Sequence, residues 1–117
     1  MHVTYLMNDV DVTVEAKAYI EKKIAAVAKL LARPERAEVE VGQDKRGLYR
    51  VEVMVHEPGQ QYRAVEEEAE SIMAGIDAVE VKLQEQIRDA HDKRRALERR
   101  GARSFKKKAT IDDAARF

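Results

Sequence analysis

YRVEVMVHEPGQQYRAVEEEAESIMAGIDAVEVKLQEQIRDAHDK, residues 49–93, contains the decisive change of period in this chain. Tyr49, Val51, Val53 and Val55 alternate with Arg50, Glu52, Met54 and His56. A repeat of two gives a strand one side buried and the other wet. Pro58-Gly59 marks a turn, and Gln61 to about Glu66 read as the next strand. From about Ser71 the repeat becomes helical: Ile72, Ile76, Val79, Leu83 and Ile87 form one stripe. Glu66, Glu67, Glu68 and Glu70 just before it read as acids favouring the helix N-terminal dipole.

Working outward, residues 37–41, AEVEV, alternate in the same way, and Gly42 to Gly47 supply a hairpin connection. Residues 2–7, HVTYLM, read as a strand ending at Asn8-Asp9. Thr13 is a suitable N-cap for a helix to about Leu31, with Ala16, Ile20, Ile24, Val27 and Leu31 on its apolar stripe. Pro34 lies beyond its end. The order is β-α-β-β-β-α. Two amphipathic helices need an apolar partner, and one face of a mostly antiparallel sheet serves both. The expected class is α+β, a two-layer domain with a four-stranded sheet and two helices on one face.

Of 117 residues, 38% are charged and none is cysteine. Disulfides, thiolate catalysis and cysteine–metal sites are thereby excluded. No run approaches the roughly 20 apolar residues of a membrane span, and no secretory signal is visible at the start. His2, His56 and His91 are in no ligand spacing. There is no phosphate-binding glycine loop and no nucleophile elbow. No catalytic site, metal or cofactor is expected, and the chain is read as not an enzyme.

Charge is where the chain departs from balance. The formal net charge is zero, yet residues 93–108 carry nine basic groups and one acid, Glu98. Residues 82–117 are net +6 and residues 1–81 net −6. Such a patch attracts a polyanion, of which nucleic acid is the obvious cellular example. One basic surface is the polar side of the first helix: Lys22, Lys29 and Arg33, flanked by Lys17 and Lys23. The other is the second helix and its extension: Lys82, Arg88, Lys93, Arg94, Arg95 and onward. Lys22 and Lys29 alone would pass for ordinary solvating residues; the 93–108 run has too few acids for that. If the helices pack side by side, the two surfaces form one basic groove for phosphates. The apolar stripe fades past Ala90, so residues 1–100 are read as the binding domain and 101–117 as a flexible basic tail.

Residues 49–93 resemble the ribosome hibernation promoting factors and ribosome-associated translation inhibitors, also called sigma-modulation proteins. The matching marks are the alternating strand and turn, Arg63-Ala64, Met73-Ala74-Gly75-Ile76-Asp77, and Lys82-Leu83 followed by Gln86. The first half agrees through Val10-Asp11-Val12-Thr13 and the lysine-bearing helix. The resemblance covers residues 1–97 and implies a fold similar to double-stranded-RNA-binding domains. It implies a cytoplasmic protein that binds the small ribosomal subunit near the decoding centre through ribosomal RNA. There it blocks tRNA and mRNA in stressed or stationary-phase cells. Carried over by position, the RNA contacts are Lys17, Lys23, Lys29, Lys82 and Lys93. The chain looks like a short-type member or a truncated form, and is expected to be a monomer off the ribosome. It departs at Met73, where the family usually has tyrosine, and at Glu85 and Asp89, where basic residues are usual. A generic duplex-RNA module and a protein-interaction adaptor are the competing expectations.

Overall fold

A computed structural model describes the backbone of residues 1–8 and 10–111, and their side chains through Arg99. The elements follow the expected order: β1 (His2–Asn8), α1 (Val14–Ala28), β2 (Arg36–Gln43), β3 (Tyr49–Glu57), β4 (Gln60–Ala69) and α2 (Ile72–Ile111). The sheet order is β1-β2-β3-β4. β1 runs parallel to β2, with Tyr5 opposite Val39; the other pairs are antiparallel. The parallel pair follows from α1, a crossover long enough to return the chain to the same end of the sheet.

Thr13 caps α1, its Oγ1 accepting the Ala16 N–H at 3.1 Å. The helix stops at Ala28 rather than Leu31, because Leu30 and Leu31 donate to Val27 and Ala28, three residues back. Leu31 remains buried all the same. Ser71 starts α2, its Oγ accepting the Ala74 N–H at 3.0 Å. Of the glutamates expected to charge that helix start, only Glu70 lies next to it. β4 extends to Ala69, Glu66 to Glu68 are in the strand, and the first turn of α2 has no acid. A register irregularity accounts for the extension: Tyr49 pairs with Ala69 but Val51 with Glu66, and Glu68 takes φ 59°. Such a bulge disguises a strand by breaking its alternation.

The core lies between the sheet and the helices. Val39, Val41, Val51, Val53 and Val55 face inward and are fully buried, as are Ile20, Val27, Ile76, Val79, Leu83 and Ile87. Ile24, Val27, Val53, Ile76, Val79 and Leu83 surround a residual space of only about 10 Å³. α1, β3 and α2 therefore meet in one tightly filled layer.

The chain divides into two compact units, the first Met1–Ile87 and the second beginning at Arg88. The first ends where the buried stripe of α2 ends. Residues 101–111, expected to be a tail, have helical backbone; residues 112–117 lie outside the described residues. The segment holds two alanines, three lysines and one arginine and has no proline, and its one glycine, Gly101, costs about 1 kcal/mol of helix propensity. No helix among the described residues is long and apolar enough to cross a membrane.

Gly75 sits in α2 where the helix meets β3. A Cβ there would lie 2.6 Å from Val51 Cγ2 and 3.3 Å from Ala69 Cβ. In an exposed helix Gly→Ala stabilises by about 1 kcal/mol; here overpacking costs about 1–3 kcal/mol and reverses the sign. Gly75→Ala should therefore lower Tm by roughly 5 °C in thermal unfolding; an unchanged or raised Tm would show that Val51 yields freely.

Candidate RNA-binding surface

With Ile20, Ile24 and Val27 turned into the core, α1 distributes its lysines over three directions. Tyr19 and Lys23 lie on the flank facing α2. Tyr19 donates to Asp77 Oδ1 at 2.6 Å, and Lys23 Nζ stands 3.5 Å from Asp77 and 3.4 Å from Glu80. The same ammonium lies 5.3 Å from the centroid of the Tyr19 ring. Its bond to Glu80 holds the Lys23 pKa above the usual lysine range, and donation to Asp77 raises that of Tyr19. On the opposite flank Lys17 covers the Tyr5 ring at 4.9 Å, and Tyr5 donates to Glu21 at 3.0 Å. Lys22, Lys29 and, beyond the helix, Arg33 are exposed and form no ion pair with a described residue.

Within the first unit α2 contributes Lys82, which faces β4 rather than α1. Its Nζ donates to the Val65 carbonyl at 2.7 Å and to Glu66 at 2.8 Å. The flank of α2 that does face α1 presents Asp77 and Glu80. The seam between the helices therefore holds one ammonium and two carboxylates, and is no cationic groove. The periodicity of α2 assigns Lys82 to the helix surface; only packing decides which neighbour that surface meets.

In the second unit Arg88, Lys93, Arg94 and Arg95 are all exposed. Arg95 is 2.9 Å from Asp92, one turn earlier, whereas Arg88, Lys93 and Arg94 form no ion pair with a described residue. Glu85 and Asp89 are exposed too, and Met73 is 41% exposed.

The far side of the sheet carries a network that sequence alternation locates but does not connect. Glu52 accepts from Arg63 and stands 3.1 Å from Arg50; Asn8 donates to Glu40 at 2.8 Å. Burial works to raise the Glu52 pKa, but the Arg63 and Arg50 bonds outweigh it and hold the carboxylate below its usual range. These arginines are occupied by acids and present little net charge to a polyanion.

Residues 3–95 match the family model described as sigma 54 modulation protein / S30EA ribosomal protein. The chain belongs to that family. It is also similar to the N-terminal domain of Protein Y from Thermus thermophilus, at 27% identity and a TM-score of 0.65, covering 74% of this chain and 96% of that one. A ribosomal subunit interface protein from Coxiella burnetii shares the fold at 19% identity and a TM-score of 0.67, over 79% of this chain and 99% of that one. No curated protein matched. The sigma 54 modulation / S30EA family is ribosome-associated, and the fold expected from the residues is the family's fold.

Proposed function

We propose that this protein is a ribosome hibernation factor of the cytoplasm, not an enzyme. It binds the small subunit near the decoding centre through ribosomal RNA and blocks tRNA and mRNA in stressed or stationary-phase cells. Family membership supports the ribosome as partner. The observation that carries the RNA reading is a group of exposed cations without an acid partner among the described residues, including Lys22, Lys29 and Arg33 in the first unit and Arg88, Lys93 and Arg94 in the second. Unpaired ammonium and guanidinium groups are the ones that release counterions from a phosphate backbone without first breaking an internal bond. Lys17, over the Tyr5 ring, also has no acid partner among the described residues, whereas Lys23 and Lys82 act first as internal ties. Residues 101–117 add further positive charge to the same polyanion-binding role.

Co-sedimentation with small subunits at graded salt tests this. With ~5 phosphates neutralised, affinity should fall a few hundredfold between 50 and 200 mM salt. Binding that ignores salt would sink the reading. Equal affinity for naked duplex RNA and for small subunits would replace it with a generic duplex-RNA module.

A further inference from the structure

The two edges of the sheet are treated in opposite ways. β4 is guarded by α2. Gln86 Nε2 donates to the Arg63 carbonyl at 2.7 Å, its Oε1 accepts the Arg63 N–H at 3.3 Å, and Lys82 takes the Val65 carbonyl. Side chains thus occupy the positions a further strand would use, and the bulge and glutamates of β4 reinforce the barrier.

β1 has none of these devices. HVTYLMN contains no Asp, Glu, Lys, Arg or Pro, and it pairs with β2 without a bulge. The His2 N–H bonds to the Glu35 carbonyl at 3.3 Å. Parallel pairing repeats at every second residue, so His2, Thr4, Leu6 and Asn8 bond to β2 while the N–H and C=O of Val3, Tyr5 and Met7 point off the sheet. Among the described residues nothing accepts or donates to them beyond the strand pairing. Leu6, on the open sheet face, is 56% exposed, and a groove of about 610 Å³ floored by Val3, Ile24 and Ala28 runs beside the same edge.

We propose that β1 is a self-association edge, on which two copies of this chain pair their β1 strands antiparallel about Tyr5. That register sets Tyr5 opposite Tyr5, Val3 opposite Met7 and Thr4 opposite Leu6. Every edge-facing N–H and C=O of Val3, Tyr5 and Met7 then finds a partner. A two-fold axis makes a strand meet itself, so a charged strand would repel its copy; this one is neutral. The second copy is therefore a better fit than a charged peptide. Assembly stops at two, because the edges left over are the guarded β4 strands. The dimer is an alternative to the monomer expected from sequence for the protein off the ribosome, and it does not depend on the ribosomal reading.

Sedimentation equilibrium of the full chain over a wide concentration range should show a reversible monomer–dimer exchange. Thr4→Lys with Leu6→Lys places lysines directly opposite each other on exposed positions and should weaken the dimer about tenfold or more. Thr4→Lys with Leu6→Glu places opposite charges there and should restore it. In the unaltered chain, hydrogen exchange at the amides of Val3, Tyr5 and Met7 should slow as concentration rises, a readout that needs no variant to fold. A monomer at every concentration overturns the proposal, as does a dimer indifferent to both substitution pairs. So do edge amides whose exchange ignores concentration or slows only on ribosomes, where a ribosomal strand would be the occupant.

Discussion

Leu83→Ala should lower the stability of the domain by about 2–5 kcal/mol, the usual range for a buried leucine cut to alanine. Leu83 is 1% exposed and packs with Ile24, Val27, Val53, Ile76 and Val79. The void that already exists there is about 10 Å³, so neighbours have no slack with which to collapse onto the missing methyl groups. Domains of this size are stable by only about 5–15 kcal/mol in total. The expected fall in Tm is therefore roughly 10–25 °C, read by differential scanning calorimetry. Val81→Ala on the same helix is the control. Val81 is 53% exposed, and its truncation should stay within about 0.5 kcal/mol. Equal effects at the two positions would mean that α2 is not seated on the sheet through this stripe.

Charge reversal separates cations that are free to meet RNA from cations already in use. Lys22→Glu with Lys29→Glu should weaken small-subunit binding on the order of thirtyfold to a hundredfold at ~0.15 M salt, and flatten the salt slope by about two. Each lost phosphate contact accounts for about fivefold, and the introduced carboxylates add repulsion. Lys93→Glu with Arg94→Glu should act similarly from the second unit. Lys82→Gln should behave differently. Its ammonium is tied to Val65 and Glu66, so binding should change by less than about threefold. Binding titrations of all three variants, with Tm measured alongside, decide the matter. If Lys82→Gln abolishes binding while the Lys22 and Lys29 pair does not, the assignment of free and occupied cations is wrong.

The two buried stripes were legible because burial imposes a period: Ile20, Ile24 and Val27 in α1, Ile76, Val79 and Leu83 in α2. Val51, Val53 and Val55 were legible for the same reason in a strand. β4 was only half legible, since the bulge at Glu67-Glu68 breaks the alternation that identifies a strand. Its glutamates then resembled a helix start, an assignment that Ser71 overturns by capping α2 itself. The helical backbone of 101–111 carries no periodic signal in the sequence, because the apolar stripe fades past Ala90. A helix of alanine, lysine and arginine needs no apolar stripe to have helical propensity.

The candidate site divides along the same line. That Lys22 and Lys29 point outward follows from their angle to Ile20 on a helical wheel, a local property of the chain. That Lys23 is held by Asp77 and Glu80, and Lys82 by Glu66, involves residues 16 to 57 positions apart in the sequence. Tyr19 with Asp77 and Gln86 with Arg63 are equally remote pairs. Element type, order and buried face were readable from the residues because backbone period and burial act over neighbouring positions. Which cation meets which anion, and which edge of the sheet stays open, depended on the way α1 and α2 settle on the strands, because a charge finds its partner through space and not along the chain.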